Sequence, residues 1–125
     1  MSEQKSSNRA GPTKLIFSCS GAADVGEIAD RTARKLTREG AGKMYCLTGI
    51  GGRVVSMVKF AQAAETILAI DGCAQNCTSH CLKKAGFKNF KTLRLADLGM
   101  EKGMSPANDD AVARVSEAAK QLLAI

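Results

Sequence analysis

The sequence predicts an α/β fold, a single-domain, three-layer sandwich around a mostly parallel, four-stranded sheet. Short apolar runs suited to buried strands alternate with amphipathic stretches at helical spacing from residue 14 onward. Apolar residues make up 45% of 125 residues, enough to bury one ordinary core without disulfide staples. The resulting β-α-β-α-β-α-β-α alternation favours parallel strands joined by right-handed crossovers.

Residues 1–13 are polar, with Ser, Asn, Gly and Pro, and read as a flexible leader; residues 14–125 form the domain. The first strand is Lys14-Leu15-Ile16-Phe17-Ser18. Asp24, with Glu27 three residues later, resembles a capping box and opens a helix. Val25, Ile28, Ala29, Thr32 and Leu36 form its buried stripe, and Gly40-Ala41-Gly42 ends it. A second strand, Lys43 to Leu47, runs into a glycine-rich turn, Thr48-Gly49-Ile50-Gly51-Gly52, followed by a helix from Arg53 to Glu65. The third strand, Thr66 to Ile70, leads to a helix from about Ala74 to Ala85, stopped by Gly86. Lys91 to Leu95 supplies the fourth strand. Ser105 and Pro106 suit the N-cap and first turn of a last helix, whose core face is Val112, Val115, Ala119, Leu122 and Leu123. This order is Rossmann- or flavodoxin-like, and such folds bind ligands beyond the carboxyl ends of their strands.

The formal charge of +6 would suit anionic partners, yet the basic residues are scattered and no aromatics are interleaved with them. Nucleic-acid binding is therefore not expected. No apolar run reaches the ~20 residues of a membrane span, and no signal-peptide core is present, so no membrane partner is expected. Five cysteines in an unsecreted chain point to the reducing cytoplasm, where clustered thiols serve as metal ligands or catalytic groups.

Cys19, Cys46 and Cys73 each fall at the downstream end of a strand-like run, and Cys77 follows Cys73 by four residues. Zinc holds sulfur at about 2.3 Å in a tetrahedron, so its ligands must lie within one turn of each other or on adjoining strand ends. With Cys73 and Cys77 on one helix face, the expected ligand set is Cys19, Cys46, Cys73 and Cys77. Cys81 would sit about 12 Å along the helix from Cys73, too far to share one ion. A competing set joins Cys77, His80 and Cys81 to one loop cysteine. Free cysteine also packs as a small apolar residue, the first reading for Cys81, and a lone histidine more commonly faces solvent. A helix start beneath Cys73 and Cys77 favours thiolates. Gly21, Gly49, Gly51, Gly52 and Gly72 would let backbone amides approach sulfur, and Arg53 would offset its charge. The Gly49–Gly52 segment alternatively forms a plain turn or cradles an anion. Asp71 suits helix capping or ligand orientation better than proton transfer.

These blocks resemble the DGC-domain family, named for a tripeptide present here as Asp71-Gly72-Cys73. Cys77, Cys19-Ser20-Gly21, Asp24-Val25-Gly26, Cys46 before Gly49-Ile50-Gly51-Gly52, and Asp97-Leu98-Gly99 extend the resemblance over nearly the whole chain. It implies a small bacterial or archaeal cytosolic protein that binds a metal, zinc or another thiophilic ion, with no established reaction. His80 and Cys81 depart from the family pattern.

The alternative function is a thiol-dependent redox or transfer enzyme using Cys19, or Cys73 with Cys77. A cysteine phosphatase is excluded, because the position six residues after Cys19 holds Val25 instead of the phosphate-clamping arginine. Cys73 and Cys77 have three intervening residues, not the two of a thioredoxin motif. A third reading is a partner-binding domain whose metal only supports the fold. No sequence feature names the protein partner.

Overall fold

A computed structural model describes residues 13–124. The expected leader, apart from residue 13, lies outside the described residues. In chain order the elements are β1 (Lys14–Ser18), α1 (Asp24–Arg38), β2 (Lys43–Met44), α2 (Leu47–Gly51) and α3 (Val55–Gln62). They continue with β3 (Thr66–Asp71), α4 (Cys77–Lys84), β4 (Lys91–Arg94), a 3-10 turn (Leu95–Leu98) and α5 (Asp109–Ala124).

The sheet is wholly parallel, with strand order β2-β1-β3-β4. Side chains alternate across it, so each central strand feeds two cores. Ile16, Leu68 and Ile70 join Val25, Ile28 and Leu36 of α1 and Val112, Val115 and Ala119 of α5. Leu15, Phe17, Ile67 and Ala69 face the other way, against Ile50 of α2, Ala61 of α3 and Leu82 of α4. Helices thus cover both faces, and the three-layer sandwich expected from the alternation is the observed fold. The chain leaves β1 towards β2 on one side and returns to β3 on the other. The point where the strand order reverses lies between the carboxyl ends of β1 and β3, where ligand crevices open in such sheets.

Several boundaries differ from the sequence reading, each for a local reason. β2 stops after two residues, because Tyr45 N–H still reaches Ile16 O at 2.9 Å but Cys46 already serves as the extended N-cap of α2. The glycine-rich turn is α2 itself, drawn into a short helix by burying Ile50. At Gly49 a Cβ would meet the far end of the flexible Met57 side chain, which packs over that position. Arg53, expected to begin the next helix, adopts φ 60° between α2 and α3. Its guanidinium donates to the carbonyls of Ile50, Gly51 and Lys84 at 3.1, 3.0 and 2.8 Å, so it closes helix ends instead of offsetting sulfur charge. α5 begins at Asp109, later than Ser105-Pro106 suggested, because Asn108 Oδ1 accepts the Ala111 N–H at 2.9 Å. Ser105 instead closes a turn on Glu101. Asp24 is the first residue of α1, not its cap, and its carboxylate turns to that distant turn, accepting Gly103 N–H at 2.9 Å and Ser105 N–H at 3.0 Å.

Candidate functional site

All five cysteines are free thiols, and none belongs to the fully buried core. β1 delivers Cys19 at the switch point, its N–H donating to Ile70 O of β3 at 3.3 Å. Beyond it the backbone turns through Ser20 at φ 51°. That unusual conformation is held by the side chain, which shares a 2.7 Å hydrogen bond with Ser18 Oγ and donates to Asp30 Oδ1 at 2.7 Å.

β3 delivers the Asp71-Gly72-Cys73 run. Asp71 is buried, and its two oxygens accept the Thr78 N–H at 2.7 Å and the Ser79 hydroxyl at 2.6 Å. It therefore supplies the capping bonds that the N-cap residue, Asn76, does not make. Asn76 itself is left-handed, at φ 55°, and delays the helix until Cys77. Cys73 is consequently off the helix, and the expected pairing of Cys73 and Cys77 on one helical face does not form. Gly72 is packed against the α1 backbone, where a Cβ would come within 2.8 Å of Val25 O and 3.1 Å of Cys19 Sγ. Gly26 is equally confined, with Gly21 O 2.6 Å from where its Cβ would stand. The Asp24-Val25-Gly26 and Asp71-Gly72-Cys73 segments are thus two halves of one close contact.

Two adjoining cavities open at this edge, and Cys19 lines both. One, about 540 Å³, contains Cys19, Cys73 and Cys77 with Gly21, Gly72 and Lys102 in its wall. The other, about 760 Å³, contains Cys19, Cys46 and Cys81 with Asp30, Arg34, Gly51 and Gly52. Cys81 comes to the thiol edge through α4, near Gly51, where a Cβ would lie 3.7 Å from its sulfur. His80 is exposed and lines neither cavity. Desolvation pushes the Cys77 thiol above its ordinary value, and the neighbouring Cys73, Cys19, Asp71 and Cys81 push it further in the same direction.

The donor chemistry suits a thiophilic ion, but among the described residues no three Cys, His, Asp or Glu side chains are close enough to hold one. The four expected ligands are divided, Cys73 and Cys77 on one side of Cys19 and Cys46 on the other. Lys102 and the Asp30–Arg34 pair, bonded at 2.7 Å, have no counterpart in the sequence reading. Helical spacing marks Asp30 with Arg34 as an i, i+4 pair, but nothing local marks Lys102 as a neighbour of residues 19–26.

A family model described as the DGC domain matches residues 15–119. The chain is 34% identical over 91 residues to the anaerobic and virulence modulator AnvM of Pseudomonas aeruginosa, spanning 73% of this chain and 70% of that protein. No solved structure matches it.

Proposed function

The chain belongs to the DGC domain family, and from that premise we propose that it binds a thiophilic metal, zinc in the first instance, at the cysteine edge of its sheet. Cys19, Cys46, Cys73 and Cys77 are the proposed ligands. Cys81 stands beside Cys46 as an alternative, and His80 is not included. The observation that carries the reading is the position of Cys19, shared by a cavity with Cys73 and Cys77 and a cavity with Cys46.

A bound zinc ion would hold the thiols as thiolates and draw the two sides of the edge together. The residues of the chain prepare for this. Asp71 fixes the start of α4 and with it Cys77. Gly72 lets Cys19 and the β3 end approach. The upward push on Cys77 opposes its use as a free nucleophile, because the thiolate is the reactive form. It does not oppose metal binding, since the ion itself displaces the proton. Free thiols need a reducing setting, such as the cytoplasm. The word "anaerobic" in the relative's name agrees with a site of this kind.

The test is metal analysis, with X-ray absorption, of protein purified without added metal. Sulfur-dominated ligation of one thiophilic ion per chain is expected, lost in Cys73→Ser and in Cys77→Ser. Unchanged stoichiometry in both variants overturns the assignment.

A further inference from the structure

Among the described residues, Lys102 is the only charged one in the wall of the cavity that contains Cys73 and Cys77. The neighbouring cavity differs in kind, because its Arg34 is neutralised by Asp30 within the same wall. Lys102 is exposed and, among the described residues, has neither an ion-pair partner nor a hydrogen bond from its side chain. Its place in the wall is nonetheless built. The turn that carries it is closed by the Ser105 hydroxyl, which accepts the Glu101 N–H at 2.8 Å and donates to Glu101 O at 3.0 Å. Asp24 then ties the turn to the start of α1 through the Gly103 and Ser105 amides. Apart from Gln75, the remainder of the wall is small and apolar, with Ala22, Ala23 and Val25 beside the glycines.

An unpaired cation, free thiols and apolar walls together define a ligand class. We propose that this cavity receives a small anionic ligand, its charge held by Lys102 and its other end against the thiols. Asp24 is the positioning residue that keeps the Lys102 turn in place. The inference goes beyond metal binding and does not need it, since thiols and cation are both present in the metal-free chain.

Iodoacetate and iodoacetamide provide the probe, because they share one electrophilic carbon and differ in charge. Sulfur attacks that carbon as a thiolate, the C–S bond forms, iodide leaves with the bonding electrons, and the thiol proton goes to solvent. The reduced, chelator-treated full chain is alkylated with each reagent, and the rate at each cysteine is followed by peptide mass spectrometry. The iodoacetate-to-iodoacetamide ratio at Cys73 and Cys77 is expected to exceed that at Cys46 by about two- to five-fold, the range of an exposed ion pair. Lys102→Gln should bring the ratio down to the Cys46 value, and Asp24→Ala should lower it with Lys102 still present. High salt should flatten it. General loosening would speed both reagents alike and leave the ratio unmoved. Equal ratios in the two cavities, or a ratio unchanged in Lys102→Gln, overturn the proposal. Because no metal takes part, the result is independent of whether the chain retains zinc.

Discussion

Two glycines that look equivalent in the sequence, Gly21 and Gly72, both lie within two residues of a cysteine and both suit an amide approaching sulfur. The structure separates them. A Cβ on Gly72 would meet Val25 O at 2.8 Å and Val25 C at 2.9 Å, and these are backbone atoms that cannot rotate away. A Cβ on Gly21 would meet nothing within 4 Å. Gly72→Ala is therefore expected to destabilise the chain by about 1–3 kcal/mol, the usual cost of forcing an extra carbon into a filled space. Gly21→Ala should stay within about 0.5 kcal/mol of the parent. Urea denaturation of the two variants decides the matter, and equal midpoints would remove the packing explanation for the glycine of the Asp71-Gly72-Cys73 run. The carboxylate before it has an equally definite task, since Asp71 satisfies the backbone and hydroxyl donors at the start of α4 and leaves Asn76 free of capping.

Among the elements, α1 is tied at both ends to α5 and the segment before it. Arg31 bonds Ala107 O at 2.5 Å and Asp109 at 2.9 Å, and Glu39 joins Lys35 of α1 to Lys120 of α5. The Asp24 attachment to the 101–105 turn titrates. The Gly103 N–H, followed by the Ser105 N–H, holds the Asp24 carboxyl below its ordinary value of 3.8. A depressed folded-state value means the attachment is intact at neutral pH and stabilising above the unfolded value. It is lost as the pH falls below about 4 and through the lower, folded-state value. In an NMR pH titration the Gly103 and Ser105 amides should therefore move together with a midpoint under 3.8. Asp24→Ala should abolish that titration at both amides. A midpoint at or above the ordinary value, or shifts that survive the substitution, would show that the carboxylate is not what anchors the turn.

At the scale of the whole molecule, the layer order and the edge carrying the thiols were legible because hydrophobic periodicity records burial, and burial here is simple. Leu15 and Phe17 face one core and Ile16 the other. The distribution of thiols at that edge was not legible, because it depends on backbone turns without a strong residue signal. Asn76 in the left-handed region starts α4 three residues late, which takes Cys73 off the helix and undoes the spacing argument that had set Cys81 aside. Lys102 reaches the cavity through a carboxylate 78 positions before it, a contact no local pattern encodes. The same layout bears on what a metal can contribute to folding. The residues that fill the two cores are aliphatic side chains, phenylalanines and Met100, with the cysteines at their margin or exposed. A zinc finger has no such core and unfolds without its ion. If the chain binds zinc as proposed, the ion adds only its binding free energy, about 4 kcal/mol when free metal exceeds the dissociation constant a thousandfold. Chelation should accordingly lower the melting temperature while leaving the far-ultraviolet circular dichroism at 25 °C unchanged and the unfolding cooperative. Loss of helical signal on chelation would mean that the thiol edge organises the sandwich, and not the reverse.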